Sequence, residues 1–269
     1  MSDSIQLVIT DLDGTLLNSR GEVSPANEQA LRQALAQGIP VTIATGKTRY
    51  SALKIIKNLG LPLPGVFIQG LVICAADGTV LEQQHLDMDI VEQVVPFVQE
   101  YGVDIFAYCH ERLLTPQDST LRHVLHHRYD EPLADILPNV SDWAEAGVCK
   151  LLVQQDLPAF SVPLRQQLAE LVDGHATLTQ ALTNSLEILP RQASKGAGVA
   201  RLLQYLEIDP RRVLAMGDAD NDVEMLQLVG IGVAMGNAVP RLKEVANYVV
   251  STNDENGVAE AIGRFVLKS

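Results

Sequence analysis

The chain has 269 residues, with 20 lysines and arginines against 33 aspartates and glutamates, for a formal net charge of −13. This length can bury a sizeable core in one or two domains, and the acidity argues against sequence-independent binding to nucleic acid or an anionic membrane. The three cysteines contain no C-x-x-C pair, which favours reduced thiols. Neither a basic-plus-apolar leader nor a membrane-spanning apolar run is visible, so we expect a cytoplasmic protein.

The first predicted element is a buried strand that runs into two carboxylates. Residues 7–9 form a short apolar run, as in a strand covered on both faces. Asp11 and Asp13 follow two residues apart, so their side chains point to the same side if the extended geometry continues. Ligands bind at the carboxyl ends of strands in an open parallel sheet. An Asp-rich turn has the same pattern, so this segment indicates a site only if distant segments supply complementary chemistry.

Helices and buried strands then alternate. They are, in chain order, a helix from Ser24-Pro25 to Gly38, a strand at 41–44, a helix at about 49–58 and a strand at 66–68. This β-α-β-α-β order predicts a parallel sheet with right-handed crossovers. The second strand runs directly into Thr45-Gly46-Lys47, which brings a hydroxyl and a cation to the sheet edge that carries Asp11.

The pattern then changes in kind, after a hairpin turn predicted at Asp77-Gly78. The stretch that follows contains helices near 90–101, 121–127 and 158–171, strands at 105–108 and 149–153, and two short strands on either side of Thr183-Asn184. We expect residues 83–184 to form an inserted α+β domain, with hinges at both crossings, inside a discontinuous core of residues 1–82 and 185–269. A pocket where the two domains meet would be the natural substrate site.

The alternating pattern returns at Ser194, which would cap a helix that begins with Lys195. A buried strand at 213–216 then runs into a loop that contains Asp218 and Asp222. The remaining elements are a helix to about 229, a strand at 231–234, a helix near 241–246, a strand at 248–250 and a final helix. The lysine and both aspartates should therefore reach the sheet edge that carries the first two carboxylates.

Carboxylates, two lysines and a hydroxyl thus converge on one edge of the sheet. Asp11, Asp13 and Asp218 offer hard oxygen ligands, which suit Mg²⁺ rather than a soft metal. The lysines and Thr45 suit a phosphate, and Lys195 lies in the first turn of a helix, whose amides and dipole also favour an anion. All six histidines lie in the insert, so acid–base chemistry in the core falls to carboxylates or lysines.

Four motifs, in this order, resemble those of phosphatases of the haloacid dehalogenase (HAD) superfamily. They are Asp11-Leu12-Asp13-Gly14-Thr15, Thr45-Gly46-Lys47, Ser194-Lys195-Gly196 and Gly217-Asp218-Ala219-Asp220-Asn221-Asp222. The position of the insert, between the second and third motifs, resembles the Cof-type (IIB) branch. The resemblance covers the whole chain and implies an α/β fold, in which a Rossmann-like parallel-sheet HAD core carries an inserted α+β cap of type IIB.

The resemblance also implies a role for each motif residue. Asp11 would be the nucleophile that forms an aspartyl-phosphate, and also a ligand of Mg²⁺. Asp13 would be the general acid for the leaving alcohol and then the base that activates water, with its backbone carbonyl facing the metal. Thr45, with Gly46 and Lys47, would bind the phosphoryl group of the substrate.

The third and fourth motifs would complete the site. Lys195 would bind the phosphate and neutralise charge, Asp218 would ligate Mg²⁺ directly, and Asp222 would support the metal site from outside its direct ligands. Asn221 would order this loop and help to bind substrate. The departures from the family pattern are Lys47 in place of arginine and Gln69-Gly70 in place of Asn-Gly.

We therefore expect Mg²⁺-dependent hydrolysis of a small phosphate monoester. A sugar phosphate is the first expectation for the substrate, and a phosphorylated cofactor such as FMN or pyridoxal phosphate is the second. Two rivals stay open: a phosphomutase, which uses the same aspartyl-phosphate, and a non-enzymatic phosphate-sensing or partner-binding module. A pure binder has no need of both carboxylates in the first motif. We expect a small-molecule partner, neither nucleic acid nor a membrane, and we make no prediction of the oligomeric state.

Overall fold

The computed structural model describes residues 4–155, 162–182 and 184–267. Its strands are, in chain order, β1 (Leu7–Thr10), β2 (Val41–Ile43), β3 (Gly65–Phe67), β4 (Val72–Cys74), β5 (Val80–Gln83), β6 (Asp104–Cys109), β7 (Arg112–Thr115), β8 (Asp135–Ile136), β9 (Lys150–Gln154), β10 (Ala176–Leu182), β11 (Ser185–Pro190), β12 (Val213–Gly217), β13 (Ile231–Ala234) and β14 (Tyr248–Val249). Its helices are α1 (Pro25–Ala36), α2 (Arg49–Leu59), α3 (Met88–Glu100), α4 (Thr120–Tyr129), α5 (Val162–Val172), α6 (Lys195–Tyr205), α7 (Val223–Leu228), α8 (Pro240–Val245) and α9 (Gly257–Phe265). Residues 158–161 of one predicted helix, and Thr183 of one predicted turn, lie outside the described residues.

The chain divides into two compact units. The core unit consists of Met1–Gly46, Leu53–Leu81 and Ser194–Ser269, and the insert unit consists of Lys47–Ala52 and Glu82–Ala193. Within the described residues, every helix is too short or too polar to serve as a transmembrane span.

The core unit is built on five parallel strands in the order β14-β13-β12-β1-β2. β1 lies between β12 and β2, with Thr10 opposite Met216 on one side and Ile43 on the other. All four residues of β1 are buried, as expected for an apolar strand with a neighbour on each side. Parallel pairing brings the carboxyl ends of β1, β2 and β12 to one edge, and the expected α/β core with a parallel sheet is confirmed.

The third predicted strand does not continue this parallel sheet. β3 meets the second strand through one parallel bridge, from Ala44 to Val66, and pairs antiparallel with β4 in a separate sheet ordered β3-β4-β5. The predicted third strand is therefore present beside the second, but the chain turns back tightly at residues 68–71, so β3 pairs along its length with β4. The predicted hairpin at Asp77-Gly78 joins β4 to β5.

The insert unit contains a six-stranded sheet in the order β10-β11-β9-β6-β7-β8. Alternation along the strands sends Leu151, Val153 and Ile105 to one face of this sheet. There they join a hydrophobic core that includes residues of α3 and α5 and the fully buried Trp143. A largely antiparallel sheet with helices packed on one face is the α+β insert that the sequence predicts.

Strand β11 belongs to the insert unit, whereas the core is predicted from the sequence to resume at residue 185. Glu187 of β11 lies opposite Leu152 of β9, and β11 also pairs with β10. The boundary expected after Asn184 is therefore wrong, because an apolar strand suits either domain and only its pairing partners decide. The second crossing lies between Ala193 and Ser194, and the first is one residue from its expected place.

The start of helix α2 also groups with the insert unit. Thr48 Oγ1 and Ser51 Oγ donate hydrogen bonds to the Glu131 carboxylate at 2.6 and 2.7 Å. Burial raises the pKa of the Glu131 carboxyl, and these two hydroxyls oppose the shift. Residues 47–52 therefore contact the rest of the insert unit, although the first of them, Lys47, is the last residue of the second motif.

Candidate active site

Two of the predicted carboxylates meet where strands β1 and β12 end. The Asp11 N–H donates to the Met216 carbonyl at 3.0 Å, which continues the β1–β12 ladder by one residue. Because the two strands are parallel and in register, the loops that follow them start from the same sheet edge. Asp11 and Asp218, 207 positions apart in sequence, therefore lie next to one another.

Lys195 places a positive charge among these carboxylates. Ser194 caps α6 by accepting a hydrogen bond from the Ala197 N–H at 3.0 Å, so Lys195 is the first helical residue, as predicted. Its Nζ lies 2.9 Å from Asp11 Oδ1 and 2.6 Å from Asp222 Oδ1. The lysine is only 1% exposed. The third and fourth motifs thus converge on the nucleophile candidate.

Asp222 organises the loop that follows β12. Its Oδ2 accepts hydrogen bonds from the backbone N–H groups of Asp218 and Ala219 at 3.0 and 3.1 Å, while its Oδ1 contacts Lys195. Gly217 makes this approach possible, since a Cβ there would lie 2.5 Å from the Asp222 carboxyl carbon. Both oxygens of Asp222 are therefore engaged in holding neighbouring parts of the site.

Asp218 is oriented by the first motif. Thr15 Oγ1 donates a hydrogen bond to Asp218 Oδ1 at 2.9 Å. Gly14 has φ +75°, a conformation that favours glycine, and a Cβ on it would collide with the Asp218 carboxylate. The glycine after the first two carboxylates thus serves both the turn and the close approach of the fourth motif.

The pKa values of the site reflect a surplus of acid. Burial, reinforced by the charges of Asp222 and Asp218, raises the pKa of Asp11 well above its ordinary value, although Lys195 opposes the shift. Burial likewise raises the pKa of Asp218 to about 6, against the hydrogen bond from Thr15. Burial lowers the pKa of Lys195, but Asp11 and Asp222 outweigh it and raise this pKa above its ordinary value. The lysine therefore stays charged, and its single positive charge offsets only part of the charge of the three carboxylates.

The donor set fits a hard divalent cation. Asp11, Asp218 and Asp222 each offer a carboxylate oxygen, and these oxygens lie within 4.8 Å of one another. Mg²⁺ takes oxygen ligands of this kind. Because both Asp222 oxygens already accept hydrogen bonds or contact Lys195, Asp11 and Asp218 are the residues best placed to ligate a metal directly, in line with the expectation for this pair.

The second motif is held by β3 and by the turn that follows it. Thr45 is buried, its N–H donates to the Val66 carbonyl at 2.9 Å, and its carbonyl accepts from the Gln69 N–H at 3.2 Å. Gly46 packs closely on the Gln69 side chain. Asn221, predicted to order its loop and bind substrate, is exposed and donates from Nδ2 to Gln69 Oε1 at 3.0 Å.

Asp13 and Lys47 belong to different units of the chain. Asp13 is exposed, and its charge contributes to the raised pKa of Asp218, so its carboxylate lies near the cluster. Lys47 belongs to the insert unit, where its Nζ donates to the Tyr129 carbonyl at 2.7 Å. The structure thus groups Lys47 with the insert unit.

Sequence reasoning missed Asn237, which supports the first motif. Its Nδ2 donates to the Gly14 carbonyl at 2.8 Å, and its Oδ1 accepts from the Asn253 N–H at 3.0 Å. The available signal was its position, three residues beyond the carboxyl end of the buried strand β13, at the sheet edge where the motifs lie. The role of Thr15 was also missed, although the residue stands inside the first motif.

Comparisons with known proteins extend these observations. Residues 8–262 match the family model described as haloacid dehalogenase-like hydrolase. The chain is 38% identical over 270 residues to Endoribonuclease YBEY, chloroplastic, of Arabidopsis thaliana. The aligned region covers 97% of this chain but only 46% of that protein, so the chain spans about half the length of that relative. It is 28% identical over 265 residues to the Bacillus subtilis 5-amino-6-(5-phospho-D-ribitylamino)uracil phosphatase YcsE, covering 98% of this chain and 96% of that protein.

A solved structure has the same fold. The HAD subclass IIB sugar phosphatase BT4131 superposes with a TM-score of 0.82 at 20% identity, covering 97% of this chain and 98% of that chain. At this identity the likeness establishes a shared fold. The resemblance based on the four motifs is confirmed, together with the fold class and the type of hydrolase.

Proposed function

The chain belongs to the haloacid dehalogenase-like hydrolase family, and from this premise we propose that it is a Mg²⁺-dependent phosphatase of small phosphate monoesters. Its partner is a small-molecule ester, neither nucleic acid nor a membrane. One observation carries the proposal: a buried lysine lies 2.9 Å from Asp11, with the carboxylates of Asp218 and Asp222 beside it. This arrangement suits a nucleophile, a metal and a phosphate together.

The proposed chemistry has two steps, and each forms one bond to phosphorus and breaks another. The Asp11 carboxylate attacks phosphorus, and the bond from phosphorus to the leaving oxygen breaks as an aspartyl-phosphate forms. Asp13 donates its proton to the leaving alkoxide. Asp13, now a carboxylate, then takes a proton from a water molecule whose oxygen attacks phosphorus. The aspartyl–phosphorus bond breaks, which regenerates Asp11 and releases inorganic phosphate.

The cations of the site make this attack possible, because an anionic nucleophile and an anionic ester repel each other. Lys195 supplies a fixed positive charge, and it lies in the first turn of α6, whose dipole also favours an anion. Thr45 offers a hydroxyl to a phosphoryl oxygen. Asp11 and Asp218 would hold Mg²⁺, with Asp222 behind them, and the bound ion would act as a Lewis acid that neutralises phosphoryl charge.

For the substrate we propose a phosphate carried on a polyhydroxylated carbon chain. One relative is named for a phosphoribitylamino compound and one structural neighbour is called a sugar phosphatase. A sugar phosphate remains the first choice and a phosphorylated cofactor the second. The insert unit would discriminate among such esters, since the carboxylates and Lys195 all come from the core unit.

A panel of phosphate esters, assayed with and without Mg²⁺, tests the proposal. We expect phosphate release that requires Mg²⁺, and we expect Asp11→Asn to lower turnover by more than about 10³-fold, because a neutral amide replaces the nucleophile. Asp220→Asn is the matched control, because Asp220 is an exposed acid of the fourth motif. Beryllium fluoride with Mg²⁺ should form an adduct on Asp11. Activity that survives in Asp11→Asn, or phosphate transfer that needs a bisphosphate activator, would contradict a phosphatase of this kind.

A further inference from the structure

Two consecutive residues after β3 adopt a backbone conformation that non-glycine residues rarely take. Ile68 has φ 50° and Gln69 has φ 57°, both in the left-handed region. This conformation is unfavourable for a residue with a side chain and persists only when its surroundings hold it. A turn made of two such residues, at the sheet edge that carries the motifs, calls for a reason.

The surroundings hold this turn on two sides. The Gln69 N–H donates to the Thr45 carbonyl at 3.2 Å, which ties the turn to the second motif. The backbone of Gly70 abuts the Ser194 carbonyl so closely that a Cβ would collide with it. The Gly70 carbonyl also accepts a hydrogen bond from Arg201 Nη2 at 2.7 Å. The turn is therefore wedged between the second motif and helix α6, which carries the catalytic lysine candidate.

The side chain of Gln69 reaches two motifs at once. Its Oε1 accepts a hydrogen bond from Asn221 Nδ2 at 3.0 Å, in the fourth motif. Its Nε2 lies against Gly46 of the second motif, where a Cβ would come within 2.7 Å of that nitrogen. The strained backbone thus places the Gln69 amide between the loop that follows β2 and the loop that follows β12.

We propose that Gln69 is a positioning residue that fixes the Thr45-Gly46 loop relative to the Asp218–Asp222 loop. This inference rests on the proposed function, since it matters only if the two loops act on one phosphoryl group. The length of the Gln69 side chain is what brings its amide to Asn221. Asparagine is shorter by one methylene, which withdraws the amide by about 1.5 Å and breaks the contact with Asn221.

Gln69→Asn separates this role from a purely structural one. Asparagine tolerates the left-handed region better than glutamine, so the variant should melt at the wild-type temperature or above it. If the amide positions the loops, turnover should nevertheless fall, by about 10- to 100-fold, since a displacement of about 1 Å can have effects of that size. The loss should appear in kcat more than in KM. If Gln69 served only the turn, the Gln69→Asn variant would keep the wild-type kcat and KM.

Glu207→Asn is the control. Glu207 has φ 55°, is exposed, and lies beyond the carboxyl end of α6, so asparagine relieves the same kind of backbone strain at the end of the helix opposite Lys195. We expect it to leave kcat and KM unchanged. Equal losses in both variants would overturn the assignment to Gln69.

A double-mutant cycle with Asn221→Ala completes the test. If the two amides act as one link, Gln69→Asn should add less than twofold to the loss caused by Asn221→Ala. Wild-type kcat and KM in Gln69→Asn, or losses that multiply in the double variant, would overturn the proposal while Asp11-dependent hydrolysis stands. A wild-type protein without Asp11-dependent hydrolysis would instead overturn the proposed function, and this role with it.

Discussion

Each of the two units buries a lysine among acidic side chains, but the balance of charge differs. In the core unit, Lys195 lies 2.9 Å from Asp11 and 2.6 Å from Asp222, with a third carboxylate beside them. In the insert unit, Lys150 lies 2.5 Å from Glu187, as a buried pair of one cation and one anion. Burial alone therefore does not distinguish a site from a structural ion pair.

The balance of positive and negative charge distinguishes the candidate site from the structural ion pair. Lys150 and Glu187 match one cation to one anion, the charge of Lys150 also favours the ionised form of Glu131, and a hydrophobic pair could replace the first two. The core unit keeps a surplus of carboxylate, which raises the pKa values of Asp11 and Asp218. Such a surplus is unfavourable for the folded protein by itself and is relieved by a bound cation.

The largest effect is expected for Lys195→Met, which removes the cation from the unbalanced cluster and keeps much of the side-chain volume. Two buried carboxylates then lose their partner, so the free energy of unfolding should fall by about 3–5 kcal/mol, and turnover should fall by about 10²–10³-fold. Urea denaturation and steady-state kinetics measure the two losses. Lys57→Met, on the exposed face of α2, should change neither. Near-normal turnover in Lys195→Met would refute the proposed charge neutralisation.

The balanced pair should behave differently. Lys150→Met alone leaves Glu187 buried without its cation and should also lower the free energy of unfolding by about 3–5 kcal/mol. The double variant Lys150→Met/Glu187→Met should return to within about 1 kcal/mol of the wild type, because both charges leave together. Urea denaturation of the three proteins checks this. A double variant as unstable as the single one would show that the pair has a further role.

Mg²⁺ should have the smallest effect, and one that depends on pH. The folded protein raises the pKa of Asp218 from 3.8 to about 6, so between these values it binds more protons than the unfolded chain does. Without metal, stability should therefore fall as pH rises through this window. Mg²⁺ at about 100 times its dissociation constant adds about 2.7 kcal/mol.

Calorimetry at pH 5 and pH 8 tests the sign. The rise in melting temperature with Mg²⁺ should be larger at pH 8, where protons no longer compete for the Asp218 carboxylate. Asp218→Asn should lose most of this rise, and Asp220→Asn should keep it. An equal rise at both pH values, or none at either, would count against the carboxylate cluster as the metal site.

Much of the fold was readable from the sequence because its signals are local. Apolar runs such as residues 7–9 mark buried strands wherever they pair, and Ser24 and Ser194 cap helices through bonds that span three residues. The approximate convergence of Asp11, Lys195 and Asp218 was predictable as well. Each follows a strand or starts a helix, and parallel strands end at one edge.

Tertiary structure alone decided which partner each segment found. The run that forms β11 is apolar enough for either unit, and only its pairing with β9 and β10 assigns it to the insert. Residues 47–52 look like the start of a core helix, yet Thr48 and Ser51 hydrogen-bond to Glu131, about 80 residues away. Strand pairing and buried polar contacts depend on the whole chain, and hydropathy along the sequence does not report them.

The hydrogen bonds that hold the loops of the candidate site also depend on the folding of the whole chain. Asn221 is 152 residues from Gln69, and Asn237 is 223 residues from Gly14, yet each donates a hydrogen bond across that distance. Residue type and spacing identified the groups that could carry charge and chemistry, because those properties belong to the side chain itself. Which amide orders which loop follows from the packing of loops at the sheet edge, and that is a property of the folded chain alone.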